Sequence, residues 1–291
     1  YIGSDGAGHF VKMVHNGMEY AEMQLLAEVY AIMRMSMDYE KIAQILSDWK
    51  STGLSSYLLE ITIDILQKKE GDQYVLDTIL DAAGNKGTGS WSSKAAYDLG
   101  SVNNMMSSAV FARYLSAFKE KRHSLSSRLK NVSEAIEGPD IKALESAYRF
   151  ARIINHHQGF ELLRLASKEY HWELNLSEIA RIWTNGCIIR SDFMEHSVAI
   201  FKKYEDYFED DIIFKNLMSS ESSIKDSISY SLKYRIPFDT FWAACNYWIS
   251  VTTENLSANL IQAQRDYFGA HTYQRKDDST LSFYHTNWLE K

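Results

Sequence analysis

The sequence predicts an all-α protein in which two similar helical bundles pack as one domain. Helix-breaking residues are scarce, since the 291 residues include only two prolines and 14 glycines. Apolar residues recur at helical spacing along most of the chain, as they do at positions i, i+3, i+4 and i+7 within residues 39–49. Because 45% of the residues are hydrophobic, the chain can bury a large core.

Four segments in the first part of the chain carry recognisable local patterns. The first helix is predicted from about residue 6, and its core-facing stripe consists of Val14, Met18, Ala21, Leu25 and Val29. A second helix is predicted over DYEKIAQILSDW (38–49), and Gly53 follows as a stop. Isoleucines alternate within 55–69 as they do in a strand, but the flanking residues favour a helix. The glycine-rich stretch 82–91 is predicted to be a loop.

Two longer helices follow. One is predicted from about Val102 towards Lys130 on the basis of its apolar spacing. The other begins near Pro139, a residue that suits the first turn of a helix. After Tyr273 the helical pattern ends, and the remaining residues are polar and interrupted by aromatic side chains. Such a segment is expected to dock on a surface rather than remain free in water.

The two halves of the chain resemble each other, which predicts an internal duplication. The segment KIAQILSDW at 41–49 matches EIARIWTNG at 178–186 at three apolar positions. The helix that holds Lys12 similarly overlays the one that holds Arg152, as VKMVHN over ARIINH. Because the second copy has an arginine in place of this lysine, we expect it to be structural.

These patterns predict the domain organisation. An all-helical domain is predicted over residues 1–272, with repeats of about 1–137 and 138–272, followed by an extended tail at 273–291. A solenoid array is disfavoured because the period is too long and the copies are too few. The chain opens at Tyr1, almost inside its first helix, and we expect it to be part of a longer protein.

The composition argues against several classes of partner. The formal net charge is −7, from 38 acidic and 31 basic residues, whereas a nucleic-acid-binding protein needs a basic surplus on one face. No apolar run is long enough to span a membrane, and no signal of basic and then apolar residues opens the chain. We therefore predict neither a nucleic-acid partner nor a membrane partner.

Cysteine and histidine usage points to a cytoplasmic protein without a metal. Cys187 and Cys245 are isolated and lack CxxC spacing, so they predict neither a disulfide framework nor a zinc site, and a reducing compartment fits them best. The NHH triplet at 155–157 has no carboxylates or cysteines at ligand spacing, so we predict no metal site there.

The first helix carries an unusual set of polar residues on one face. At 100° per residue, Lys12, His15, Asn16 and Glu19 point within roughly 60° of the lysine's direction, with Tyr20 at the margin. Lys12 and Glu19 are separated by about 10 Å along the helix axis, a distance at which they could address opposite ends of one small polar molecule. On helix statistics alone, a solvated polar face is the simpler interpretation.

Five segments favour a functional interpretation of this helix face, because together they resemble one known family. They are GAGHFVKMVHNGMEY (6–20), AAGNKGTGSW (82–91), AVFAR (109–113), GCIIR (186–190) and NLIQAQRDYFGAHTY (259–273). In this order they are similar to the signature segments of the 6-phosphogluconate dehydrogenase family, and the resemblance runs from residue 3 to about 288. It covers only the helical C-terminal part of that family, since no G-x-G-x-x-G of a Rossmann domain is present.

The resemblance implies catalytic roles for two residues. Lys12 corresponds to the lysine that takes the proton from the 3-hydroxyl of 6-phosphogluconate and later protonates the keto oxygen as CO₂ departs. Glu19 corresponds to the acid that delivers a proton to C1 of the enediol, which yields ribulose 5-phosphate. An acid of this kind must be protonated, so we expect burial to raise the pKa of Glu19.

The resemblance also implies a substrate-binding set. His15 and Asn16 correspond to residues that contact the sugar acid. Tyr20, Lys86 and Arg113 correspond to the phosphate grip, with Thr88 as a further contributor. That set, completed by two residues from a partner subunit, is His15, Asn16, Tyr20, Lys86, Arg113, Arg265 and His271. Clustered cations suit a phosphate dianion because charge-assisted hydrogen bonds are the strong ones.

The function implied by the resemblance is oxidative decarboxylation in the pentose phosphate pathway and in gluconate utilisation, with NADP as cofactor and a homodimer as the active unit. The cofactor-binding residues are unknown, because the family binds NADP mainly through the domain that has no counterpart here. The chain alone is therefore expected to be inactive. An alternative is an isolated, non-catalytic module that binds sugar phosphates and dimerises.

Overall fold

The computed structural model describes residues 2–84, 87–129 and 136–290. The helices in these ranges are α1 (Ala7–Met33), α2 (Tyr39–Trp49), α3 (Tyr57–Gln67), α4 (Thr88–Leu99), α5 (Asn104–Ser116), α6 (Lys119–Ser126), α7 (Ile141–Glu169), α8 (Leu176–Trp183), α9 (Asp192–Ile200), α10 (Asp211–Lys233), α11 (Asp239–Val251) and α12 (Ala258–Gly269). The strands are β1 (Lys69–Glu70), β2 (Gln73–Tyr74), β3 (Tyr273–Gln274) and β4 (Phe283–Tyr284), which form two antiparallel pairs. The all-α prediction is confirmed.

The chain forms two compact units, residues 1–247 and residues 248–291. The predicted repeats and the predicted boundary after residue 272 remain predictions. No helix in the described part of the chain is both long enough and apolar enough to cross a membrane.

Helices α1 and α7 pack against each other in the core of the first unit. The apolar stripe predicted on α1 is fully buried, from Val14 to Val29. Gly159 of α7 faces Met18 of α1, and a Cβ atom at that position would collide with the methionine side chain. The absence of a side chain at this position leaves the space that the Met18 side chain fills.

Arg152 of α7 occupies the position that corresponds to Lys12 in the predicted duplication. Its Nε lies 2.8 Å from Glu22 Oε1, and both side chains are almost completely buried. Tyr148 donates a hydrogen bond of 2.6 Å to the same carboxylate. Removing one partner of such a pair would leave a buried charge uncompensated, so Arg152 has a structural role.

The starts of α3 and α9 are built alike. Ser56 and Ser191 are the N-caps of these helices, and each hydroxyl accepts a hydrogen bond from the backbone N–H three residues later. The two serines also pair with each other as an isolated antiparallel bridge. The two serines align when LSSYLLEITIDIL (54–66) is laid over IRSDFMEHSVAIF (189–201), and the duplication itself remains a prediction.

Two local predictions were wrong. The helix expected from about Val102 towards Lys130 is interrupted after Ser116, where the Arg122 side chain binds the Ser116 carbonyl and Asp81. This contact satisfies a free carbonyl at the end of α5, and residues 130–135 lie outside the described ranges. The loop expected over 82–91 ends early, because α4 begins at Thr88 after Gly87, whose φ is +91°.

Glu28 of α1 binds the beginning of α11 from inside the core. Its side chain is 2% exposed and accepts hydrogen bonds from the backbone N–H groups of Thr240 and Phe241 and from the Thr240 hydroxyl. These N–H groups lie in the first turn of α11 and have no partner within the helix. Burial raises the pKa of Glu28 to about 7, although the hydrogen bonds from Thr240, Gln24 and Phe241 act in the opposite direction.

This environment predicts a specific pH dependence of stability. A carboxyl whose pKa is raised from 4.5 to about 7 stabilises the fold fully below about pH 4.5, and the contribution is lost as pH rises through about 7. The difference in unfolding free energy between wild type and Glu28→Gln should therefore fall by about 3 kcal/mol over this range. Urea denaturation at several pH values measures this difference in unfolding free energy. Glu70→Gln, an exposed control, should give a constant difference, and a constant difference for Glu28→Gln would contradict the prediction.

Candidate functional site

The polar face of α1 is arranged around His15. Lys12 Nζ lies 3.2 Å from His15 Nδ1, and Asn16 Oδ1 lies 3.3 Å from the same nitrogen. Glu19 Oε2 is 3.8 Å away from it. The histidine is 1% exposed and the Glu19 side chain 16% exposed, whereas Lys12 is exposed. The face is therefore a partly buried cluster and not a fully solvated surface.

The second predicted repeat covers the histidine. Trp183 at the end of α8 meets the imidazole edge-on, with ring centroids 5.6 Å apart. Cys187, in the segment between α8 and α9, places its Sγ in hydrogen-bond contact with His15 Nε2. Sequence reasoning assigned no role to this cysteine, although it lies within the GCIIR segment that carried part of the family resemblance.

Burial shifts the protonation of the two titratable groups in this cluster. Desolvation, assisted by the positive charge of Lys12, lowers the pKa of His15 to about 4, so the imidazole is neutral at pH 7. Desolvation raises the pKa of Glu19, while Lys12 and Arg113 act in the opposite direction. The expected rise for Glu19 is confirmed, and it favours a carboxyl that can hold a proton.

Tyr20 and Arg113 come together at the other end of the face. Arg113 belongs to α5, and its guanidinium carbon lies 3.4 Å from the centroid of the Tyr20 ring, as in a cation–π contact. The guanidinium also lies near Met23 Sδ and the Gly84 carbonyl, at 3.4 and 3.5 Å. A Cβ atom at Gly89 of α4 would be 2.5 Å from the Tyr20 ring, so this backbone must lie directly against the tyrosine.

The structure thus brings together six of the predicted site residues, namely Lys12, His15, Asn16, Glu19, Tyr20 and Arg113. Lys86, predicted to complete the phosphate grip, lies outside the described residues. Whether it reaches the same end of the cluster as Arg113 remains a prediction, as do the individual catalytic and binding roles.

Arg265 and His271 belong to the second unit, and both are exposed. Arg265 donates a hydrogen bond of 3.0 Å to Gln262 Oε1, one turn earlier on α12. The His271 ring packs edge-on against Phe268, with centroids 5.9 Å apart. Both side chains are accessible from outside this unit.

Asp266, which sequence reasoning passed over, organises the segment around them. Its buried carboxylate accepts hydrogen bonds from Thr272 N, His285 Nδ1, Thr286 N and Trp288 Nε1, at 2.9–3.1 Å. Burial alone would raise the pKa of Asp266, but these hydrogen bonds lower it to about 2. The carboxylate therefore anchors the C-terminal segment to α12. The available signal was an acidic residue beside Arg265 in the last of the five segments that carry the family resemblance.

The described residues contain no group of three or more histidine, cysteine, aspartate or glutamate side chains arranged to hold a metal ion. The site consists instead of an exposed amine, a neutral imidazole, a carboxyl with a raised pKa and an arginine held on a tyrosine ring. This is an all-α unit that carries titratable and cationic side chains on one partly buried helix face.

The chain belongs to the 6-phosphogluconate dehydrogenase family. The family described as 6-phosphogluconate dehydrogenase, C-terminal domain, matches residues 8–288. A decarboxylating 6-phosphogluconate dehydrogenase from Salmonella typhimurium is 42% identical over 306 residues, which cover 100% of this chain and 64% of that protein. The enzyme of the same name from Lactococcus lactis subsp. lactis is 42% identical over 298 residues, which cover 99% and 63%.

A solved relative has the same fold. The 6-phosphogluconate dehydrogenase of Plasmodium falciparum aligns with a TM-score of 0.94 and 40% identity, over 99% of this chain and 64% of its own. That protein has been solved in its apo form, in complex with its cofactor NADP+ and in complex with its substrate 6-phosphogluconate. The chain described here spans about 64% of the length of the curated relatives it matches.

Proposed function

We propose that this chain is the substrate-binding, catalytic and dimerisation part of an NADP-dependent 6-phosphogluconate dehydrogenase, which acts in the cytoplasm. The observation that carries the proposal is the cluster on α1, in which Lys12 and Glu19 each lie within hydrogen-bond or ion-pair reach of His15. Family membership and the relatives' names support the same reaction. Free cysteines are compatible with a reducing compartment.

In the proposed reaction Lys12 is the base. A lysine in its neutral form can take the proton of the 3-hydroxyl, and the resulting ammonium can then return it to the keto oxygen while the carboxylate leaves as CO₂. Glu19 is the acid that protonates C1 of the enediol. The burial that raises its pKa favours the protonated carboxyl that this step requires.

Tyr20 and Arg113 are proposed to hold the phosphate. The ring contact fixes the guanidinium at one end of the helix face, where it can donate charge-assisted hydrogen bonds to phosphate oxygens. Lys86 of the same subunit is proposed to add a further cation, and Arg265 and His271 are proposed to reach this end from the partner. Several cations are needed because the desolvation of a dianion has to be offset.

No residue of this chain is assigned to the cofactor. Dinucleotides bind where a parallel strand leads through a glycine-rich turn into a helix, and the strands of the described ranges are two antiparallel pairs of two residues. We propose that NADP, which takes up the hydride from C3, is held mainly by residues outside this chain.

A homodimer is proposed as the active unit. The second unit exposes many large apolar side chains, among them Leu260, Tyr267, Phe268, Phe283, Trp288 and Leu289. Leu260, Phe268 and Trp288 also line a groove of about 290 Å³. Apolar patches of this kind commonly mark protein–protein interfaces, and a second copy of the chain is the occupant that the proposed sharing of Arg265 and His271 requires.

The phosphate grip can be tested by binding. The chain is expected to bind 6-phosphogluconate more tightly than gluconate, and Arg113→Gln should weaken 6-phosphogluconate binding by about 10- to 100-fold with little effect on gluconate. Isothermal titration calorimetry measures both affinities. Arg122→Gln, which removes a surface partner of Asp81, is the matched control. Equal affinity for the two ligands in the wild-type chain would count against the proposal.

The acid and base can be tested by turnover in an enzyme that joins this chain to a dinucleotide-binding domain. Lys12→Met and Glu19→Gln should each lower kcat by about 10²-fold or more, the usual scale for a positioned proton-transfer group. Lys41→Met and Glu60→Gln are controls on α2 and α3. Wild-type rates in either site variant would remove the assignment, and binding without turnover in the parent enzyme would favour the non-catalytic module.

The dimer can be tested by light scattering of the chain at micromolar concentration. We expect the mass of a dimer, and Leu260→Asp should shift the equilibrium towards monomer because it places a charge in the apolar groove. Ile212→Asp is the control, since this residue is similarly exposed on α10. A monomeric wild-type chain would exclude a stable dimer through this surface.

A further inference from the structure

Cys187 is the contact of His15 on the side away from Lys12. The cysteine is 172 positions from the histidine in sequence, and its Sγ meets the Nε2 of an imidazole that is 1% exposed. The other ring nitrogen, Nδ1, faces Lys12, Asn16 and Glu19. A chain of contacts thus runs from the exposed amine through the buried ring to the thiol.

Hydrogen-bonding rules limit the protonation states and tautomers that these contacts allow. A lysine ammonium can only donate, so a charged Lys12 at 3.2 Å favours an accepting Nδ1, whereas Asn16 Oδ1, at 3.3 Å, favours a protonated one. Where the ammonium prevails, the ring proton is on Nε2 and faces Cys187 Sγ. A neutral Lys12 can accept, and so can the nearby Glu19 carboxylate. The ring proton can then be on Nδ1, and Nε2 becomes an acceptor that faces the thiol.

A thiol can pair with Nε2 in both tautomers of His15 because its sulfur accepts weakly and its S–H donates weakly. An alanine could serve neither, and a donor-only or acceptor-only group could serve one. The protonation of Cys187 and His15 is compatible with this change of tautomer. Desolvation raises the pKa of Cys187, which keeps it a thiol, and the low pKa of His15 keeps the ring neutral in both tautomers.

We propose that Cys187 is a positioning residue that lets His15 change tautomer as Lys12 loses and regains its proton. This inference rests on the proposed function, because it assigns the thiol to the proton transfers of Lys12. Cys187 itself exchanges no proton with the substrate. It keeps the buried Nε2 paired in both states, and an unpaired buried nitrogen would disfavour one of them.

Kinetics of the enzyme described above, with its dinucleotide-binding domain, provide the first test. Cys187→Ala should lower kcat by about 3- to 10-fold, the effect of one neutral hydrogen bond, with little change in KM for 6-phosphogluconate. The pH dependence of kcat should shift as well, because both tautomers of His15 lose their partner at Nε2 and the balance between them changes. Cys187→Ser should restore most of the rate and the profile, since a hydroxyl also donates and accepts. Cys245→Ala is the control for loss of a cysteine.

Nitrogen-15 spectra of histidine in the 291-residue chain provide a test that needs no substrate. His15 should carry its proton on Nε2 in the wild type and shift towards Nδ1 in Lys12→Met, where no ammonium faces Nδ1. Absence of that shift would overturn the proposal, as would equal kinetics for Cys187→Ala and wild type, or equal loss in the alanine and serine variants. The spectra do not depend on the binding of 6-phosphogluconate. Failure of the chain to bind 6-phosphogluconate would therefore refute the proposed function and leave the spectral test of Cys187 in place.

Discussion

The close packing of α1 against α7 is the constraint on which the rest of the first unit depends. The Met18 side chain occupies the space where a side chain at Gly159 would otherwise lie, so the two longest helices are in direct contact. This contact buries the apolar stripe of α1 and directs its opposite face towards α4, α5 and the segment after α8. The polar residues of that face are thereby held on a packed helix, which suits the proton-transfer site proposed for them.

The same helix carries three acidic residues in three different environments, and their surroundings give them different roles. Glu22 is paired with Arg152 in the core and has a structural role. Glu28 binds the first turn of α11, and burial raises its pKa to about 7. Glu19 lies nearer the start of the helix, partly buried beside Lys12 and Arg113, and desolvation raises its pKa while these two cations act in the opposite direction. Residue type alone does not distinguish these roles, because desolvation and partners decide the protonation state.

The two predicted repeats carry different residues at the positions of Lys12 and Glu19. At the position of Lys12 the second repeat has Arg152, which is permanently charged and buried in an ion pair. In the same overlay, VKMVHN over ARIINH, Gly159 falls at the position of Glu19 and lies against Met18. The first predicted repeat thus carries the polar cluster, while Trp183 and Cys187 of the second cover His15. The second unit is organised separately, around the Asp266 carboxylate.

Periodicity within single helices was enough to predict the all-α class, the buried stripe of α1 and the shared direction of Lys12, His15, Asn16 and Glu19, because these properties depend on neighbours three or four residues away. The family segments added Tyr20, Arg113, Arg265 and His271 as candidates. Only the tertiary structure placed Arg113 on the Tyr20 ring, Cys187 beside His15 and Asp266 under the C-terminal segment, and only it ended α5 at Ser116. These contacts join residues that are distant in sequence or depend on a side chain from another element, and the spacing of residues along one helix carries no information about which helix packs against it.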